Sequence, residues 1–242
     1  MNTIVIIMAG GLGKRMNSDL PKVLHTINHK PMLTHVIEQS IQLNPHKIFV
    51  VVGKNKNKIE EAIGDLKNKV QFIIQPVPLG TGHAIYCCRE ELMKNPYKKV
   101  LILSGDVPLL SSTTMESMLT NFKDVKIVTT ILDNPYGYGR ILSRNGIISI
   151  VEEKDATEEE KQIKKVNCGI YIIDSNILCT YLPLIKNNNN QKEYYLTDII
   201  AIIQKCQFAN VDIFNIPQEK QYEIMGVNTI EQLHELEKLI IN

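Results

Sequence analysis

Lys14, Arg15 and Lys22 follow the glycine-rich turn Gly10-Gly11-Leu12-Gly13, which itself ends the apolar run Ile4-Val5-Ile6-Ile7-Met8-Ala9. Glycines let a backbone approach a ligand closely and turn its amide N–H groups on phosphate or base, and the cations bring positive charge to the same place. The pattern is that of a nucleotide site. Asp106 lies where a second apolar run ends, preceded by Ser104-Gly105 and followed by Val107-Pro108. Its carboxylate suits magnesium, a hard ion often held by one or two carboxylates together with substrate phosphates. An ordinary turn aspartate before proline fits the same residues. Gln75, Gly80, Thr81 and Gly82 offer a side-chain amide, a hydroxyl and exposed N–H groups for a base edge, or else a loop that caps the next helix. Farther on, Tyr138-Gly139-Arg140, Glu152 and Asn167-Cys168-Gly169 combine polar groups with close backbone approach, as recognition of sugar hydroxyls requires. Asn228 with Glu231 reads as a helix-capping pair that opens the apolar series Ile230, Leu233, Leu236 and Leu239.

Two commoner glycine loops do not fit. A Walker A loop needs Lys-Ser/Thr after its last glycine, whereas Gly13-Lys14 is followed by Arg15. A dinucleotide fingerprint starting at Gly11 needs a third small residue where Met16 stands. The five cysteines, Cys87, Cys88, Cys168, Cys179 and Cys206, lack paired metal-ligand spacing and read as buried free thiols. None of the six histidines has metal-site spacing, and no nucleophilic triad is discernible.

Several elements must position these groups. At 242 residues, with 44% apolar and 22% charged residues, the chain can build one sizeable α/β domain. A net charge of +1 predicts no general attraction to nucleic acid or anionic membrane, so an anion site must be local. The apolar start of the chain reads without a basic leader or cleavage site, and the expected compartment is a reducing cytoplasm. Short β-branched runs at 4–7, 48–52, 70–74, 100–103 and 126–132 alternate with apolar repeats of helical spacing. That order predicts a Rossmann-like, mostly parallel mixed sheet flanked by helices. After Leu132 a turn cluster and Arg144-Asn145-Gly146 predict a hairpin-rich insertion, and 155–165 reads as a solvated helix or flap. The expected parts are a nucleotide-binding region over about 1–132, a sugar-binding region over about 133–228 and a closing helix over about 229–241. In open α/β sheets ligands bind at strand carboxyl ends, so one crevice is expected to collect the glycine turn, the 75–82 loop and Asp106.

The segments Met8 to Met16, Ser18 to His25, Leu79 to Ala84 and Gly105 to Leu109 resemble those of N-acetylglucosamine-1-phosphate uridyltransferases. The likeness continues through Asn134 to Ile141, Val151 to Ala156, Asn167 to Ile170, Glu193 to Ile200 and Gly226 to Asn228, in the family's order and over almost the whole chain. The resemblance implies magnesium-dependent transfer of UMP from UTP to N-acetylglucosamine 1-phosphate, giving UDP-N-acetylglucosamine and pyrophosphate. It places the nucleotide against Met8, Ala9, Gly10, Gly11, Gln75, Gly80, Thr81, Ser104 and Gly105, and the amino sugar beside Gly139, Glu152 and Asn167. It makes Asp106 and Asn228 the magnesium ligands, and Arg15 and Lys22 the charge-stabilising pair around the phosphates.

The chain departs from that family in carrying Gly10-Gly11 where alanine then glycine is usual, and Ser104 where a tyrosine is familiar. Double glycine also occurs in uridylyl- and thymidylyltransferases of glucose 1-phosphate, which leaves that acceptor open, along with a catalytically silent UDP-sugar-binding module. Bifunctional relatives continue into an acetyltransferase β-helix that this sequence does not contain, so acetyl transfer is not expected. The family's trimer, which leans on that region, does not carry over and leaves the oligomeric state open.

Overall fold

The computed structural model describes residues 2–11, 13–16, 18–94, 99–207 and 209–241. Leu12 of the glycine turn and the side chain of Lys14, the first of the three cations, lie outside the described residues.

The chain opens with β1 (Thr3–Met8), whose residues Ile4 to Ile7 are fully buried. A tight hairpin of β2 (Thr26–Ile27) and β3 (Lys30–Pro31) delivers α1 (Met32–Gln42), for which Pro31 at φ −54° supplies the turn into the helix. Then come β4 (Lys47–Val52), α2 (Lys56–Ala62), β5 (Gln71–Ile74), α3 (Thr81–Tyr86), α4 (Arg89–Met93), β6 (Lys99–Ser104) and α5 (Ser112–Leu119). The second half begins with β7 (Val125–Ile131) and the hairpin of β8 (Gly139–Arg144) and β9 (Ile147–Val151). It continues through α6 (Glu158–Lys161), β10 (Lys165–Ile173), α7 (Ser175–Tyr181), α8 (Asp198–Lys205), β11 (Val211–Asn215) and α9 (Ile230–Ile241).

Local chemistry explains the turns that the sequence marks. Asn145 and Gly146 have φ of +52° and +77°, the primed turn expected between β8 and β9. The 155–165 segment holds α6, started by a capping box in which Thr157 and Glu160 satisfy each other's N–H groups.

The main sheet runs β11-β7-β10-β6-β1-β4-β5, with β8 and β9 attached through β10. β1 pairs in parallel with β4 and β6, as does β4 with β5, and β10 runs antiparallel to β6 and β7. The periodic runs therefore predict the parallel half well. β10 escapes them because Asn167-Cys168-Gly169 breaks its pattern with a register shift. From β1 the chain steps outward to β4 and β5, then crosses to β6 on the other side of β1. The carboxyl ends of β1 and β6 consequently lie side by side, with Met8 opposite Ser104, at the switch in strand order where open α/β sheets bind ligands.

Alternation along the strands fills both faces. Val5, Ile7, Val50, Val52, Leu101 and Leu103 pack with α1 and α5, whereas Ile4, Ile6, Phe49, Val51 and Ile102 pack with α3, α7 and α8. Each such side chain contributes about 1.5–3 kcal/mol by leaving water. A third, smaller cluster of Met16, Ile27, Met32, Val227, Leu233 and Leu236 fastens α9 beside the β2–β3 hairpin. Among the described residues no helix is long and apolar enough to cross a membrane.

Candidate active site

Three strand-end turns meet at the switch point because their backbones are tied together. The Gly105 N–H donates to Met8 O at 2.9 Å, Ala9 N–H to Val51 O at 2.8 Å, and Gln75 N–H to Val52 O at 2.8 Å. Ala9 and Gly105 are thereby buried behind the crevice, with their N–H groups occupied. A Cβ on Gly105 would approach Met8 O to 3.2 Å, so the close contact of the two strand ends favours glycine there.

The larger lobe of the crevice, about 650 Å³, is lined by Gly10, Gly11, Gln75, Gly80, Thr81 and Lys22, among others. Gly80 turns the chain with φ +105°, and a Cβ there would sit 2.6 Å from Tyr194 O. This glycine lets the start of α3 nest against residues 193–196, where Gly82 N–H donates to Tyr194 O at 2.7 Å and Leu196 N–H to Thr81 Oγ1 at 3.0 Å. Gln75 Nε2 donates to Gly80 O at 3.1 Å, which holds the amide against the loop. Lys154, Gln191 and Glu193 complete the wall. None of the three is a candidate from the sequence, although Lys154 and Glu193 lie in the segments 151–156 and 193–200 of the family resemblance; Gln191 falls just before the second. Asn190, just before Gln191, ties this stretch to the 151–156 segment, its N–H donating to Asp155 Oδ1 at 2.9 Å and its Nδ2 to Lys154 O at 2.7 Å.

Four side chains from distant segments converge at one edge. Lys22 Nζ contacts Asp106 Oδ2 and lies 3.1 Å from Asn228 Oδ1, to which an Arg15 N–H also donates at 2.8 Å. The Val227 N–H to Asp106 O bond, 3.0 Å, fastens the Asn228 segment to the end of β6. The capping pair read from Asn228 and Glu231 is displaced by one residue. Thr229 Oγ1 accepts from Gln232 N at 3.3 Å and Gln232 Oε1 accepts from Asn228 N at 2.7 Å, so the Asn228 side chain faces the cations instead. Among the described residues no group of three or more His, Cys, Asp or Glu side chains could hold a metal by itself. The donors present still suit a divalent ion completed by substrate oxygens: one carboxylate and one amide oxygen already aim at a single cationic atom, Lys22 Nζ.

The smaller lobe, about 200 Å³, shares Met8, Thr81, Ser104 and Asp106 with the larger and adds Gly139, Glu152, Asn167 and Asn228. Burial pushes the Glu152 carboxyl pKa up; the Thr197 hydroxyl, donating to Oε1 at 2.9 Å, opposes this, while Asp198, Asp155 and Glu193 add to it. Arg140 is buried in an ion pair with Glu153 at 2.8 Å, and Glu153 Oε2 accepts the Gly137 N–H at 3.1 Å, so this arginine holds the turn that presents Gly139. Thr197, Tyr138 and Tyr171 also line the lobe. Composition and spacing gave no signal for Tyr171 or Thr197, which only the folding of β10 and the 193–197 segment brings inward.

The MobA-like NTP transferase domain matches residues 5–164. The chain is 43% identical over 97% of its length, and 95% of the relative, to a protein of Acanthamoeba polyphaga mimivirus named "Probable UDP-N-acetylglucosamine pyrophosphorylase". It is 42% identical over 99% of its length to the "Bifunctional protein GlmU" of Francisella tularensis subsp. holarctica, of which it spans 52%. A solved UDP-glucose pyrophosphorylase complexed with UDP-glucose superposes with a TM-score of 0.75 at 18% identity, covering 100% of this chain and 99% of the other, and so shares its fold.

Proposed function

The chain belongs to the MobA-like NTP transferase family, and from that membership we propose that it transfers UMP from UTP to N-acetylglucosamine 1-phosphate, releasing pyrophosphate. In this reading the larger lobe takes the nucleotide and the smaller one the amino sugar. The observation that carries it is the meeting of Arg15, Lys22, Asp106 and Asn228 where the two lobes adjoin.

The sugar phosphate is already an anion, so its oxygen can attack the α-phosphorus of UTP without a general base. A new Pα–O bond forms, the bond from Pα to the bridging oxygen of the β-phosphate breaks, and pyrophosphate departs with the electron pair. What the protein must supply is alignment and charge neutralisation. Lys22, resting on Asp106, turns its ammonium to the reacting phosphates. Arg15, exposed beside Asn228, stabilises charge on the departing pyrophosphate. Asp106 and Asn228 would hold magnesium, which when bound neutralises phosphate oxygens and aligns them. Gln75 and the N–H groups of the 80–81 turn meet the base, while Glu152 and Asn167 hold sugar substituents.

The deciding measurement is pyrophosphate release with UTP, CTP, dTTP or ATP, each combined with N-acetylglucosamine 1-phosphate or glucose 1-phosphate in magnesium. UTP with the amino sugar is expected to be fastest. Preference for glucose 1-phosphate would replace the acceptor, as the double glycine allows. UDP-sugar binding without release from any pair would make the chain a binding module.

A further inference from the structure

Inside the smaller lobe β10 departs from regular pairing. It sets Asn167 against Thr129 and then Tyr171 against Ile127, so the stretch 167–171 spans only 129–127 of its neighbour. Gly169 lies in that bulge with φ +70°, a conformation that glycine adopts without strain. Residues four apart in a regular strand are separated by about 13 Å. The bulge instead lets Asn167 Nδ2 donate to the Tyr171 hydroxyl at 2.7 Å.

The polarity of that pair is determined by its neighbours. Asn167 Oδ1 accepts the Gly169 N–H at 3.3 Å, and the flipped amide would set two donors face to face. The Tyr171 oxygen is thus an acceptor toward Asn167, which leaves its own O–H to donate. The residue is only 2% exposed, yet it lines the smaller lobe. Burial pushes the phenol pKa up and the Glu152 carboxylate adds to this, so the hydroxyl keeps its proton. Among the polar groups that line the lobe are thus a donor, Tyr171, and an acceptor, Glu152, beside apolar Leu196 and Ile224.

We propose that Tyr171 is a further specificity-determining residue, whose hydroxyl donates to the acetamido carbonyl oxygen of the amino sugar. The assignment rests on the reading of this lobe as the sugar site. An acetamido group carries what the lobe complements: a carbonyl that only accepts, an N–H for Glu152, and a methyl for the apolar wall. Glucose 1-phosphate has a hydroxyl in its place, which reaches less far and lacks the methyl.

The test is Tyr171→Phe in the full chain, which removes one oxygen and keeps the ring. At saturating UTP, kcat/KM for N-acetylglucosamine 1-phosphate should fall about tenfold through KM, as for one lost hydrogen bond to a ligand. The value for glucose 1-phosphate and the KM for UTP should stay almost constant. The ratio between sugars is read within one preparation, so a reduced folded fraction cancels. An unchanged ratio, including equal losses with both sugars, overturns the contact and leaves Tyr171 as a prop for Asn167. Should the wild type turn over no sugar phosphate, the proposed reaction fails, and calorimetric titration with UDP-N-acetylglucosamine and UDP-glucose decides the contact separately. Weakening confined to the amino sugar upholds it; equal affinities in both proteins, or no binding to the wild type, overturn it.

Discussion

At Lys22 a single ammonium touches both Asp106 and Asn228, so a ligand that draws it away leaves two oxygens facing an open position. Asp106→Asn should therefore raise the magnesium concentration for half-maximal turnover at least tenfold, measured by metal titration at fixed UTP. Arg15 has a different place, exposed and bonded only to the Asn228 oxygen among the described hydrogen bonds. Arg15→Ala should lower kcat by about 10²–10³-fold, as losing one preorganised charge-stabilising donor does, with a smaller effect on UTP binding; equal losses in rate and in affinity would contradict that role. Glu152 supplies a pH prediction. Burial raises its pKa above that of the unfolded chain, so its contribution to stability is full below the unfolded value and is lost as pH rises through the folded one. Glu152→Gln should then be at least as stable as the wild type at neutral pH in thermal unfolding. Conversely, sugar affinity that depends on the carboxylate should weaken as pH falls into the range just above ordinary glutamate values, and the variant should lose that dependence. The identity of these groups is legible in the sequence; their partners are not, because Asn228 changes from helix cap to cation partner only when Thr229 takes over the cap.

Helices and strands set how firmly those residues are held. α9 carries no candidate residue, yet its cluster with Met16, Ile27 and Met32 brings Asn228 to the glycine turn. Leu236, 1% exposed, is central to that contact. Leu236→Ala should cost about 2–5 kcal/mol in denaturant unfolding and should also weaken the magnesium response by loosening Asn228. β10 is the opposite case. Its bulge was hidden to periodicity, since a register shift breaks the alternation by which a strand is recognised, but Gly169 with its positive φ is the residue that makes it possible. The strands β1, β4 and β6 were legible because they are buried on both faces and so are apolar at nearly every position.

Across the molecule the sheet continues from β11 to β5, so the nucleotide and sugar lobes share one set of strands. We expect the two regions to unfold as one unit, giving a single calorimetric transition whose midpoint rises with UDP-N-acetylglucosamine; two separated transitions would divide the chain into independent domains. The sequence by itself determined the buried strands of the parallel half, the β8–β9 hairpin turn, the glycine turn with its cations, and the acidic turn at Asp106, because propensity, burial pattern and φ requirements act over a few residues. Only the tertiary structure decided that positions 15, 22, 106 and 228 touch, that residues 154, 191 and 193 wall the larger lobe, and that Tyr171 reaches Asn167. Such contacts depend on strand order, register and the docking of α9, and these are fixed by packing between segments far apart in the chain, which no local pattern records.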